Sequence, residues 1–199
     1  MNFRIYCKII LITFFSCTIT LTHLSAQEKD KLEENLQKSR DVIKELHKAL
    51  SKELIAGIKA GGIEKAINYC HQSAKKITDS FKTDKQSIRR ISLKYRNSEN
   101  KPAPYEAEKL KQLAQDHKKG NFQTEYYEII EKDNVKYFRY FSPILIQPPC
   151  LSCHGKKEKL SPNILKALEK KYPDDKATGY KSGDLRGSFS VIIKQQNNL

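Results

Sequence analysis

Apolar residues recur every three or four positions from Gln27 to Lys59. Leu32, Leu36, Ile43, Leu46, Leu50, Leu54 and Ile58 form one stripe with charged residues between them, the signature of an amphipathic helix. Gly61-Gly62 closes it, because glycine takes the backbone conformations that end a helix. Ile63–Thr78 resumes the helical period, with Ile63, Ala66, Ile67, Cys70, Ala74 and Ile77 on one face. The period then becomes two. Ser87–Arg96 alternates as a strand, with Ile91, Leu93 and Tyr95 on one side and Arg90, Ser92 and Lys94 on the other. Asn97–Pro104 is a loop, and Tyr105–Lys119 a helix closed by Gly120. Phe122–Glu131 and Val135–Ile146 pair as a hairpin around Lys132-Asp133-Asn134. Ser161-Pro162 opens a short helix to Lys171, with serine as N-cap and proline at the first position. Arg186–Lys194 is a last strand with Phe189, Val191 and Ile193 on one face. The order predicts an α+β fold in which helices lead and about four antiparallel strands follow.

The start of the chain has a different pattern. Met1–Lys8 carries Arg4 and Lys8, Ile9–Leu24 is almost wholly apolar, and Leu24-Ser25-Ala26 precedes a polar run. These are the three regions of a secretory signal peptide, expected over residues 1–26 with an exported, periplasmic product. An uncleaved anchor, or lipidation of Cys17, would instead tie the protein to a membrane. Residues 27–199 then form a single domain, helical over 27–80 and sheet-containing over 87–199. Its charge falls from the +14 of the full chain to +12 when Arg4 and Lys8 leave with the leader. Lysine is spread along the whole chain rather than gathered in a stripe, the pattern of a solvated surface and not of nucleic-acid binding; the diffuse positive field favours acidic partners or an anionic membrane surface.

Of five cysteines, Cys7 and Cys17 lie in the leader, so Cys70, Cys150 and Cys153 remain. An odd count in an exported protein is no simple disulfide framework. Cys150-Leu151-Ser152-Cys153-His154 is the C-x-x-C-H attachment site of a c-type haem. Each thiol takes one vinyl group as a thioether, and the adjacent histidine is the proximal iron ligand. A redox C-x-x-C pair would want a βαβ context, and a structural zinc site a fourth clustered ligand. A plain disulfide across two residues is the remaining alternative. The only methionine is Met1, so the other face of the iron falls to His47, His71, His117, Cys70, a lysine or an open site. His117 sits in the last turn of its helix, where a cation meets the helix C-terminus. His47 lies at the edge of its apolar stripe, and His71 points roughly 80° from the centre of its helix's apolar face, by the 100° step. Cys70 lies near that centre, where a lone cysteine can be a small inert hydrophobe.

Further segments carry a resemblance. Ala66-Ile67-Asn68-Tyr69-Cys70, then Arg89-Arg90-Ile91-Ser92-Leu93-Lys94-Tyr95-Arg96-Asn97 with Asn100 and Pro102, resemble a family of small exported monohaem c-type proteins. The Cys150–His154 site, Ala177-Thr178-Gly179-Tyr180 and Gly183-Asp184-Leu185-Arg186-Gly187 complete the likeness. The family has long been catalogued as a domain of unknown function, and the likeness covers nearly all of residues 27–199. It implies a PAS-like antiparallel sheet with added N-terminal helices and haem iron held between His154 and Cys70. A thiolate ligand would stabilise ferric iron and lower the potential. His71, beside Cys70, could replace it on reduction. Arg89, Arg90, Arg96 and Arg186 are candidates to meet the haem propionates. The functional expectation is low-potential electron transfer by a non-enzymatic redox protein. A haem-based redox or gas sensor acting through a separate partner, and a peroxidase-like enzyme, are the alternatives. A four-helix cytochrome of the c-prime kind conflicts with the β-rich middle of the chain.

Overall fold

The structure, a computed structural model, describes the backbone of residues 6–195 and the side chains of residues 26–195. The expected leader, with Cys7 and Cys17, therefore lies outside the described side chains. Among the described residues no helix is long and apolar enough to cross a membrane. The chain divides into two compact units, Met1–Lys38 and Ser39–Leu199; apart from the first part of helix α1, the features that follow lie in the second.

Helix α1 spans Tyr6–Asp79 and breaks at Gly61-Gly62. Gly62 takes φ 79° and ψ −168°, a conformation open mainly to glycine. The two arms fold into a hairpin: Ser73 Oγ donates to Glu53 Oε1 at 2.9 Å, and Gly57 lies against Ala66. A Cβ at Gly57 would stand 2.5 Å from Ala66 Cα. Gly57→Val should therefore wedge the arms apart and cost about 1–3 kcal/mol. Chemical denaturation checks this, and an unchanged midpoint would mean that the arms do not press together. The apolar stripe of the first arm is used unevenly. Leu46 is fully buried, whereas Leu54, Ile55 and Ile58 stay exposed near the turn.

Four strands follow: β1 (Gln86–Ile91), β2 (Tyr126–Lys132), β3 (Val135–Leu145) and β4 (Leu185–Lys194). They form one antiparallel sheet in the order β1-β4-β3-β2. The β2–β3 turn puts Asp133 and Asn134 at φ 53° and 57°, the paired left-handed residues of a tight hairpin. Helix α2 (Pro104–Lys119) ends on Gly120 at φ 76°. It covers one sheet face through a cluster of Ile91, Leu110, Leu113 and Phe141. On the other face lie Phe189, Val191 and Ile193, the alternate residues expected to point together, with Phe138 and Tyr140. Helix α4 (Pro162–Lys171) starts as expected, Ser161 Oγ accepting from Ile164 N. Leu168 and Tyr172 pack with Ile67 of α1.

Two strands are shorter than their patterns: β2 begins at Tyr126 rather than Phe122, and β1 stops early. The alternation predicts Ser87–Arg96, yet β1 ends at Ile91 and Leu93 is 44% exposed. Ser92 leaves the ladder, its N–H donating to Asn100 O and its hydroxyl to Arg186 O. Period-two alternation carries on past the last paired residue because it records side-chain types, not backbone partners.

Candidate functional site

Cys150 is already in the right-handed helical region (φ −66°, ψ −24°) and leads into helix α3, Leu151–His154. Positions i, i+3 and i+4 of a helical turn share one face. The two thiols and the imidazole are therefore presented together, and all three cysteines outside the leader are free of disulfides. Gly155 ends the turn, its N–H donating to Leu151 O; a Cβ there would stand 2.6 Å from that oxygen. Behind the turn, Ile146, Ala177 and Tyr180 form a small core against which Cys150 and Leu151 pack.

The imidazole is held by a backbone carbonyl. His154 Nδ1 lies 2.7 Å from Ala177 O. A carbonyl can only accept, so Nδ1 carries the proton and Nε2 keeps a lone pair, the tautomer of a metal-ligating histidine. Burial pushes the His154 pKa down to about 3, with the charges of Arg96 and Arg186 acting in the same direction and the Ala177 bond opposing them. The imidazole is thus neutral across the physiological range.

Ala177 is fixed in turn. Its N–H donates to Asp175 Oδ1 at 2.7 Å, and Asp175 Oδ2 accepts from Arg96 Nε at 3.0 Å. Arg96 also donates to Cys153 O at 2.6 Å and Ala177 O at 3.3 Å. Tyr180 N and Gly179 N donate to His154 O and Gly155 O. Lys94 donates to Thr178 O and stands 4.4 Å from the centre of the Tyr180 ring. The separated segments singled out in the sequence therefore converge on one place. Their pattern could not reveal the links, which run largely through loop carbonyls.

A cleft of about 180 Å³ lies beside His154, lined by Cys150, Ile146, Ile91, Arg90, Arg186 and Gly187 among others. Gly187 permits its close wall: a Cβ there would stand 2.2 Å from Ile91 O. Cys70 and Cys153 do not line this cleft. Cys70, half-buried on the second arm of α1, belongs to the same electrostatic neighbourhood. Burial pushes its thiol pKa up, Arg90 and Arg96 pull it down, and Glu53 pushes it up. Burial likewise raises Cys153, against Arg96, with the charges of Cys70 and Cys150 adding to the rise.

Each of the other candidate histidines packs against an aromatic ring. His117 packs edge-on against Phe122, His47 edge-on against Phe189, and His71 edge-on against Tyr172, with ring centroids 4.9, 6.4 and 5.0 Å apart. His71 is exposed. Arg90, which strand alternation alone leaves as surface, is half-buried at the cleft. Among the described residues no group of three or more His, Cys, Asp or Glu side chains is placed to hold a metal ion. An iron here would need only one or two protein ligands, the rest coming from the macrocycle. The site suits that demand: two thiols and an Nε2 lone pair on one face, and a buried guanidinium Nε without a partner at Arg90.

No curated protein matches the sequence. A solved structure described as the cyanobacterial heme-protein Tll0287 matches with a TM-score of 0.56 and 26% identity, covering 83% of this chain and 98% of that one. It shares the α+β architecture of a long N-terminal helix and a four-stranded antiparallel sheet. The family model described as Tll0287-like matches residues 22–194, nearly the whole chain, and the protein belongs to the Tll0287-like family.

Proposed function

We propose that this protein binds one haem c covalently and serves as a low-potential, non-enzymatic redox protein outside the cytoplasm, exchanging electrons with an acidic partner. The observation that carries the reading is the turn Cys150–His154, with two cysteines and an oriented imidazole at i, i+3 and i+4 of one helical turn, Cys150 and His154 lining a cleft. The described heme-protein relative supports it.

Haem, when bound, supplies a one-electron iron couple. Cys150 and Cys153 would hold the haem covalently, each thiol adding across one vinyl group with no leaving group and no net oxidation. His154 presents Nε2 to the iron while Nδ1 donates to Ala177 O. Cys70, in the same electrostatic neighbourhood, would be the second iron ligand. Burial raises the pKa of that thiol, Arg90 and Arg96 lower it and Glu53 raises it; a bound metal ion would favour the thiolate. A thiolate ligand favours ferric iron and so lowers the potential. The excess of basic residues supports an acidic partner.

The test is the visible spectrum of protein matured in a periplasm, oxidised and then reduced. A low-spin covalent haem with ferric thiolate features is expected. Cys70→Ser should keep the haem, lose those features and raise the midpoint potential on the order of 0.1–0.3 V, within the ≈ 0.8 V that axial ligands span. An unchanged spectrum and potential in Cys70→Ser would remove Cys70 from the ligand set. Rapid CO binding to the reduced wild type would favour gas sensing, and turnover with peroxide would overturn the non-enzymatic reading.

A further inference from the structure

We propose that Arg90 is the side chain that holds a carboxylate of the bound macrocycle, the anionic edge of a haem; the assignment rests on the haem reading above.

Four arginines stand near the site, and three are committed. Arg89 Nη2 donates to Glu99 O at 3.0 Å and to Lys101 O. Arg96 is paired with Asp175 and bonded to Cys153 O. Arg186 Nη1 donates to Ser92 Oγ at 2.7 Å and Lys94 O at 3.0 Å. Arg89 and Arg90 each have a buried Nε without a hydrogen-bond partner, but Arg90 lines the cleft beside His154 and Arg89 does not. A buried guanidinium nitrogen without a partner is costly. Burial disfavours the charge of Arg90, the Cys70 charge being the first to oppose that effect. Under the haem reading Cys70 is turned to iron, so Arg90 needs an anion of its own.

Its place supplies the route. Arg90 and Asn100 line the cleft beside His154, and both also line a second cavity of about 110 Å³. That second cavity opens between the end of α1 and residues 97–100, with Lys75, Lys82 and Arg89 at its walls. Asp79 also lines it, but its carboxylate is already paired to both lysines. Glu99 lines the second cavity too, and the wall common to both spaces is Arg90 and Asn100, so Arg90 is the cation they share; a guanidinium fork matches a carboxylate in two parallel hydrogen bonds.

The experiment is resonance Raman spectroscopy and redox titration of haem-loaded wild type, Arg90→Gln and Arg90→Lys. The propionate bending band should shift in both variants, because neither has the fork. At the wild-type midpoint potential, Arg90→Gln should raise the ferric-to-ferrous ratio about tenfold through loss of a nearby positive charge, about 59 mV for one electron. Arg90→Lys should restore that ratio but not the band. A propionate band that stays put in both variants, with haem attached, overturns the assignment. So does a change confined to the thiolate–iron features, which would make Arg90 a support for Cys70. Wild-type protein that carries no haem would overturn the cofactor reading and this assignment together.

Discussion

Replacing Cys150 and Cys153 together by serine is expected to leave a chain that shows no haem stain after denaturing electrophoresis. Wild type and Cys70→Ser should both stain. Two thioether bonds survive unfolding, whereas iron–ligand bonds do not, so the stain separates covalent from coordinate attachment. The effect should be all-or-none in the double variant, because serine hydroxyls do not replace thiols in thioether formation. Each single variant keeps one thiol and should retain weaker staining. The local fold should tolerate the changes. Leu151 packs on the core of Ile146, Ala177 and Tyr180 whichever residue stands at position 150, and the backbone bonds from Gly179 and Tyr180 to the turn do not involve the cysteine side chains. Staining of the double variant, or haem that leaves denatured wild type, would show that the thiols are not the attachment points.

How much of this could be read in advance depended on where each signal is stored. Helices and strands are written as periodicity. Ser161-Pro162, Gly120 and Asp133-Asn134 therefore marked their boundaries to within a residue or so. The paired thiols and histidine are written as spacing, and the same spacing places them on one helical face. Two kinds of information were hidden. The end of β1 at Ile91 is decided by the donation from Ser92 N to Asn100 O, a backbone matter that leaves no period. The burial of Arg90 is decided by which elements pack over an edge strand, so alternation could not distinguish it from a surface cation. The choice of Arg96 as structural and Arg90 as unpartnered became legible only once Asp175 and Ala177 were seen beside Cys153 and His154.

Arg96→Ala is expected to be the most damaging substitution in the fold that touches neither a thiol nor the imidazole. Arg96 and Asp175 are only 12% and 11% exposed, with Nε and Oδ2 3.0 Å apart. Removing one member of such a pair leaves the other as an uncompensated, largely buried charge, which costs about 3–5 kcal/mol. The same change orphans Cys153 O, which accepts from Arg96 at 2.6 Å. For a chain of this size, about 3 kcal/mol corresponds to a fall in Tm of roughly 6–12 °C. The consequence also reaches the site, because Asp175 Oδ1 accepts from Ala177 N, and Ala177 O orients His154. Arg96→Lys keeps a charge but loses the fork and should recover part of the stability. Asp175→Asn should lose the ion pair, keep an acceptor for Ala177 N, and fall between the two. A double-mutant cycle on Arg96 and Asp175, read by urea unfolding, isolates the pair from the carbonyl contact. Coupling near zero would mean that Arg96 acts only through Cys153 O and Ala177 O. A total cost below about 1 kcal/mol would mean that water screens the pair as it does at an open surface, and that the His154 carbonyl is held by the turn alone.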